Sequence, residues 1–361
     1  MNGPANPPAD AERTDPARVD PARVDLTRAN LADTDLAGVG PAGVGPADTD
    51  LAGADPAGVG PAGAGLADTD LAKATARLVR RFGPGVAGWC AEVPRLVAGL
   101  TARWGLTLGA PLPEGAASIT LRCRWPDGTP AVLKLSPDRT LLVEQADMLR
   151  WLAASGRVPV VVALDGAAGA LVMTEILPGT EAGELPAASL PERWADLLAA
   201  LHGLAPPPGA TRTLGDRCEE AFARVGRRLI EPAVGARLDA AAWDRAVRRC
   251  DRLLATTARP VLLHGDLHPG NALDGGAARG LMAIDPKVCV GDPCFDAVDL
   301  VVAGAGAEGV GARCARVAAA CGLDGERLHE WSRVIAAFAA VAQLAGGGEE
   351  STTEELLALT R

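Results

Sequence analysis

The chain has 361 residues, enough for two domains or for one two-lobed unit with added segments, and its hydrophobic fraction of 48% suffices for a core. Of the formal charge of −10, residues 1–74 hold most, with 12 acids against 5 bases; the nearly balanced remainder offers no nucleic-acid-binding face. There is no apolar run of about 18 residues, no basic-then-apolar leader and no Cys-x-x-Cys among the eight cysteines, so a cytoplasmic protein with reduced thiols and no membrane span is expected.

Residues 15–74 are 12 consecutive five-residue units, from Asp15-Pro-Ala-Arg-Val19 to Asp70-Leu-Ala-Lys-Ala74. The period is similar to that of the pentapeptide-repeat family, in which a central apolar residue fills a β-helix. Half of the units place Pro there instead (Pro16, Pro21, Pro41, Pro46, Pro56 and Pro61). Proline removes a backbone donor and leaves no side chain to stack. Residues 1–75 therefore read as a disordered low-complexity tail. Its two Gly-x-Gly-x-x-Gly matches, at Gly38 and Gly58, are by-products of the repeat, since no strand precedes them and no helix follows.

Apolar residues at helical spacing run from Leu78 to Leu106. Ile119 to Arg124 and Ala131 to Leu135 are strand-like around the turn Pro126-Asp127-Gly128, which predicts a hairpin. Asp138 to Ala154 predicts a helix with Leu142, Leu149 and Leu152 on one face. Two more strands follow, Val158 to Leu164 and Ala170 to Ile176, before Pro178-Gly179 breaks the pattern. The rest is mainly helical, interrupted by short strands at 261–264 and 280–285. The order predicts an α+β fold of two lobes: a small sheet-containing lobe at 76–177, a helical lobe at 178–346 and a tail at 347–361.

The chemistry is concentrated in His264-Gly-Asp-Leu-His-Pro-Gly-Asn271, which follows the apolar run Val261-Leu-Leu263. Asp266 and Asn271 have the spacing of the catalytic-loop Asp and metal-binding Asn of eukaryotic-type kinases. A second apolar run, Gly280 to Ile284, ends in Asp285. Asp, Asn and Asp at two strand ends suit a substrate hydroxyl beside a magnesium-bound nucleotide. Only three lysines occur, Lys73, Lys134 and Lys287, against an arginine-rich background, and Asn271 is the only Asn after residue 30. A compact ammonium has therefore been kept at few positions. Lys134 ends a strand and would reach phosphates, with Glu144 on the next helix as the carboxylate that holds it. His264 reads as a brace for the loop, and His268 as a site contact or a turn cap. The rival chemistry is a transition-metal site at His264-x-Asp266-x-His268. It lacks further ligands and leaves Asn271 and Asp285 unexplained.

This loop resembles that of the aminoglycoside phosphotransferases and their small-molecule kinase relatives. Ala283-Ile-Asp-Pro-Lys287 and Gly291-Asp-Pro-Cys-Phe-Asp296-Ala-Val-Asp299 resemble the narrower aminoglycoside/hydroxyurea resistance kinase branch, which includes streptomycin 6-kinases. The resemblance covers roughly residues 80–345. It implies a protein-kinase-like fold, ATP and Mg2+ as cofactors and an aminoglycoside-like hydroxyl compound as substrate, streptomycin type first. It also implies Asp266 as catalytic base and Asn271 and Asp285 as magnesium ligands. Lys134 and Glu144 become the pair on the ATP phosphates. Met173 to Leu177 becomes the hinge that holds adenine, with Glu175 and Leu177 as its contacts. Lys287 touches the transferring phosphate or pairs with an acid, and Asp296 anchors the loop or binds substrate. Hydroxyurea or another hydroxyl metabolite is the alternative acceptor, and a non-catalytic kinase-like interaction protein the alternative of another class. A monomer is expected, with no nucleic-acid or membrane partner. Leu112-Pro-Glu-Gly-Ala-Ala-Ser118 stands where a Gly-rich phosphate cover would be.

Overall fold

The computed structural model describes residues 68–112, 117–303 and 308–361. The repeats up to residue 67, the middle of the 112–118 cover and most of Gly304-x-Gly306-x-x-Gly309, a further match to the glycine pattern that reads as a helix-to-helix loop, lie outside the described residues.

Two helices, α1 (Asp68–Phe82) and α2 (Ala87–Trp104), open the described chain. One continuous helical stretch was expected from residue 78 to 106. Gly83, at φ 84°, and Pro84 divide it instead. A positive φ suits glycine and not a helix interior, and Pro at the first position of a new turn costs no hydrogen bond. Helix α1 also begins inside the segment read as tail.

A five-stranded antiparallel sheet follows, built from β1 (Thr107–Pro111), β2 (Ile119–Arg124), β3 (Pro130–Leu135), β4 (Val161–Asp165) and β5 (Ala170–Thr174), in the spatial order β1-β2-β3-β5-β4. Between β3 and β4 runs α3 (Arg139–Leu152), capped by Asp138, whose carboxylate accepts the Leu141 N–H at 3.0 Å. Strand alternation divides β3 between two layers. Ala131, Leu133 and Leu135 pack against α1 and α2. Val132 packs against Leu142, Ala146 and Leu149 of α3. Lys134 shares the α3-facing side with Val132, so the pleat itself turns its ammonium toward the cleft. The edge strand β1 lacked an alternating pattern and was not anticipated; its residues are partly or fully exposed.

The second lobe contains α4 (Leu190–His202), α5 (Leu214–Gly226), the single turn α6 (Pro232–Gly235) and α7 (Ala240–Ala255). Two small antiparallel pairs follow: β6 (Val261–Leu263) with β9 (Cys289–Gly291), and β7 (Ala272–Asp274) with β8 (Leu281–Ala283). Then come α8 (Phe295–Val302), α9 (Val310–Cys321), α10 (Gly325–Gly346) and α11 (Glu350–Leu359). Helix α5 begins with a capping box in which Thr213 and Asp216 satisfy each other's backbone donors. The fully buried Trp194 and Trp331 anchor this lobe's core. Residues 347–361, read as a tail, instead carry α11, whose Leu356 and Leu357 are buried in that core. The fold is α+β and two-lobed, with the sheet in one lobe and most helices in the other. No described helix is long and apolar enough to cross a membrane.

Candidate active site

A cleft of about 1550 Å³ runs between the lobes. Single small-molecule sites occupy roughly 300–1,000 Å³, so there is room for two ligands side by side. The loop from His264 to Asn271 forms its floor.

Hydrogen bonds to backbone and to buried acids fix that floor. The N–H groups of His264 and Gly265 donate to the two carboxylate oxygens of Asp296 at 2.7 and 2.9 Å. Asp296 is fully buried on α8 and also takes a bond from His202 at 3.1 Å. Burial raises its pKa, but His202 and the loop's donors outweigh this and hold the carboxylate below its ordinary value. The buried His264 Nε2 lies 2.9 Å from the Ile284 carbonyl, while Nδ1 accepts the Asp266 N–H at 3.3 Å. Burial lowers the His264 pKa, consistent with a neutral ring that donates at Nε2. His264 is thus the brace expected from the sequence, and Asp296 the loop anchor. Gly265 has φ 79°, and a Cβ there would run into the Lys287 carbonyl. No other residue fits.

On this frame Asp266 is held by two cations. Arg217 of α5 donates to Oδ1 at 2.8 Å, and Lys287 Nζ sits 3.0 Å from Oδ2. Of the two readings of Lys287, the structure displays the pairing with an acid. Asn271 Nδ2 donates to the Asp266 carbonyl at 2.9 Å, and the Ile284 N–H donates to the Asn271 carbonyl at 2.9 Å. Since β7 and β8 are antiparallel, Asn271 before β7 and Asp285 after β8 emerge at the same end.

Asp285 has φ 54° and is the only non-glycine with positive φ among the described residues. Such a conformation costs free energy and marks functional positions. Its Oδ1 accepts from Lys134 Nζ at 2.6 Å and from Gln145 Nε2 at 3.0 Å. Burial raises the Asp285 pKa, but Lys134 and Lys287 prevail and hold it below the ordinary carboxylate range. The expected Lys134–Glu144 pair is therefore corrected. Lys134 pairs with Asp285 across the cleft, while Glu144 is exposed on α3 and borders the cleft. Helix geometry turns the neighbouring Gln145 inward instead.

Glu175 and Leu177 lie where β5 leaves the sheet. The Glu175 carboxylate takes the Arg122 Nε–H at 2.7 Å, and its backbone N–H donates to the Pro130 carbonyl. Leu177 is 46% exposed, precedes the cis Pro178 and receives a guanidinium bond from Arg279 at its carbonyl. His268 caps the turn after the loop, accepting the Gly270 N–H at 3.1 Å, and also borders the cleft. Both ring nitrogens of His264 are spent on the Ile284 carbonyl and the Asp266 N–H, which speaks against the rival transition-metal reading.

Sequence reasoning missed Arg217, Gln145 and Asp299. Asp299 is 6% exposed on α8. Burial first, then the charge of Asp266, raise its pKa well above the usual value, against a smaller pull from Arg217. Its position in Asp296-Ala-Val-Asp299, one turn beyond the loop anchor, was the available signal. Arg217 carried none, being one arginine among many.

Comparison with known proteins gives the same fold and a family. The profile of the phosphotransferase enzyme family matches residues 109–331. A hydroxyurea phosphotransferase from Kitasatospora aureofaciens is 34% identical over 262 residues, covering 70% of this chain and 74% of the relative. A streptomycin 6-kinase from Streptomyces glaucescens is 33% identical over 231 residues, 61% of this chain and 70% of the relative. Among solved structures, choline kinase LicA from Streptococcus pneumoniae superposes with a TM-score of 0.54 at 14% identity, covering 74% of this chain and 99% of that one. Macrolide 2'-phosphotransferase MphH from Brachybacterium faecium superposes with a TM-score of 0.50 at 19% identity, covering 74% and 97%. These structures share the fold.

Proposed function

The chain belongs to the phosphotransferase enzyme family, and on that footing we propose that it transfers the terminal phosphate of ATP, with Mg2+, to a hydroxyl of a small molecule. The observation that carries this is the convergence of Lys134, Asp285, Asn271 and Asp266 on one cleft, with Lys134 and Asp285 in contact from opposite lobes. Lys134 would hold the nucleotide phosphates. The hinge backbone around Glu175 and Leu177 would hold adenine. Asn271 and Asp285 fit a magnesium ion by their chemistry. Asn271 spends Nδ2 on the Asp266 carbonyl and Asp285 spends Oδ1 on Lys134 and Gln145, leaving one hard oxygen on each. Magnesium takes few protein oxygens and keeps waters and phosphates as its other ligands; bound there it would offset phosphate charge.

Asp266 would accept the hydrogen bond of the substrate hydroxyl and take its proton as transfer proceeds. Each carboxylate oxygen has a second acceptor site beyond its bond to Arg217 or Lys287. Those two cations fix the direction in which the free lone pairs point. Lys287 stands where it could also meet the phosphate in transit.

The acceptor is read first as a streptomycin-type aminoglycoside, whose phosphorylation would add bulk and negative charge and so confer resistance. One observation favours the second reading, hydroxyurea or another small hydroxyl compound. Cations and carboxylates line the cleft in near-equal number, and on its α5 and α9 side Arg217 is paired with Asp266 and Arg313 and Arg316 with Glu308, so few carboxylates there are left for a cationic ligand. That is poor complementarity for a polycation. The test is ADP release by the purified protein with ATP and Mg2+ across streptomycin, other aminoglycosides and hydroxyurea, with Asp266→Ala as control. Turnover with one compound, lost in Asp266→Ala, supports the reading. ATP binding without transfer to any compound would favour a non-catalytic kinase-like protein.

A further inference from the structure

Gln145 stands at the Lys134–Asp285 contact with no task in the chemistry above. Only 9% of it is exposed, on the inward face of α3, and it borders the cleft. Its Nε2 and the Lys134 ammonium share one acceptor, Asp285 Oδ1, at 3.0 and 2.6 Å. Two donors on one oxygen put the amide beside the ammonium. The other half of the amide is unused: Oε1 is buried and has no hydrogen-bond partner among the described residues. Turning the amide over would not repair this, because a carbonyl oxygen cannot donate to a carboxylate. A buried acceptor without a partner costs free energy in the unliganded protein.

The buried face of α3 is Leu142, Gln145, Ala146, Leu149 and Leu152, so it offers Lys134 no acid. Among the described residues Asp285 is the ion partner of Lys134. Asp266 is already matched by Arg217 and Lys287. Two carboxylates thus meet three cations on the cleft floor, and a divalent cation arriving alone would meet net positive charge. A carboxylate at position 145 would change that by holding Lys134 and releasing Asp285. We propose that Gln145 is a positioning residue: offering Lys134 no competing charge, it keeps the ammonium on Asp285 until nucleotide phosphates draw it off, so that Asp285 opens to a divalent cation only together with nucleotide. As Asp285 is released, the unused Oε1 gives the ammonium a neutral acceptor beside it. The proposal rests on the kinase reading of the cleft.

The test is Mn2+ binding to the nucleotide-free, full-length protein, followed by electron paramagnetic resonance of the unbound ion. Gln145→Glu should bind Mn2+ about tenfold more tightly than the wild type, as expected where one close charge contact is relieved, and Asp285→Asn should erase that gain. Lys134→Met, which removes the competing cation outright, should bind at least as tightly, and it keeps the test decisive if a buried acid at 145 unfolds the chain. Added to Lys134→Met, Gln145→Glu should gain little, because its effect runs through the lysine. With a non-hydrolysable ATP analogue bound, wild type and Gln145→Glu should converge. A merely structural glutamine would produce none of this pattern. Wild-type affinity in Lys134→Met, or in a folded Gln145→Glu, overturns the proposal. So does a full gain from Gln145→Glu in the Lys134→Met background, which would make position 145 a metal ligand in its own right. ADP release by the wild type separates the two readings. Turnover with Mn2+ affinity unchanged in both variants refutes the role of Gln145 alone, and the expected Mn2+ pattern without turnover of any acceptor refutes the kinase alone.

Discussion

Arg217→Met tests whether the clamp on Asp266 governs activity. The two side chains of this pair are only 6% and 8% exposed, and the guanidinium donates at 2.8 Å. Removing one member of a buried ion pair typically costs about 3–5 kcal/mol, because the other charge is left uncompensated. Here Lys287 remains 3.0 Å from the second oxygen, and methionine retains much of the buried stem. A loss of about 2–3 kcal/mol is therefore expected. Lys287 alone pulls the carboxylate to one side, so the hydroxyl acceptor is misdirected. The expected kinetic result is a fall in kcat of about 100-fold with KM for ATP little changed, because Lys134 and Asp285 are untouched. Urea unfolding followed by circular dichroism gives the stability, and steady-state kinetics gives the rest. Wild-type stability with wild-type kcat would show that the ion pair is incidental. A rise in KM for ATP at constant kcat would show that Arg217 serves the nucleotide.

Asp285→Asn should fold normally, because Asn tolerates the φ of 54°, yet lose Mg2+-dependent turnover; wild-type magnesium dependence would remove Asp285 from the metal's ligands. Gly265→Ala should destabilise the protein by more than about 1 kcal/mol, since its methyl meets the Lys287 carbonyl; an unchanged melting temperature would show that the loop has another way to pass. Asp299 has a folded pKa above its unfolded value, so the wild type loses stability as pH rises from about 4 toward the folded pKa. Asp299→Asn should match the wild type below pH of about 4 and become relatively more stable toward neutrality, and a gap that stays flat across that range would contradict the burial argument.

What could be read in the sequence follows from how locally each feature is encoded. Asp266, Asn271 and Asp285 lie on two strand ends joined by one hairpin, so a short stretch of chain specified their meeting. The β3 lysine was legible for a similar reason: strand alternation decides where it points. Its partner was not. Glu144 and Gln145 are adjacent, and only the docking of α3 on the sheet decides which of them enters the cleft. Arg217 reaches Asp266 from 49 residues away, through a helix with no local mark of that duty. Helix α11 was misread because the glycines before it masked a short amphipathic segment whose leucines have meaning only against the helical lobe.

The same logic bears on how the lobes move. Beside the hinge, the first lobe is tied to the β7–β8 hairpin by Arg157, whose carbonyl accepts the Ala283 N–H at 2.7 Å and whose guanidinium donates to the Arg279 and Leu281 carbonyls. Gly179 adds a bond to the Asp274 carbonyl at 2.9 Å. These main-chain contacts hold one edge of the cleft together in the free protein. In mid-cleft, among the described residues, the Lys134–Asp285 contact, reinforced by Gln145, joins the lobes. One edge of the cleft is thus held by main chain and its middle by side chains. A transferase gains from that difference. The nucleotide can settle against a fixed edge, while the Lys134–Asp285 contact can give way to phosphate and metal without unseating the hinge.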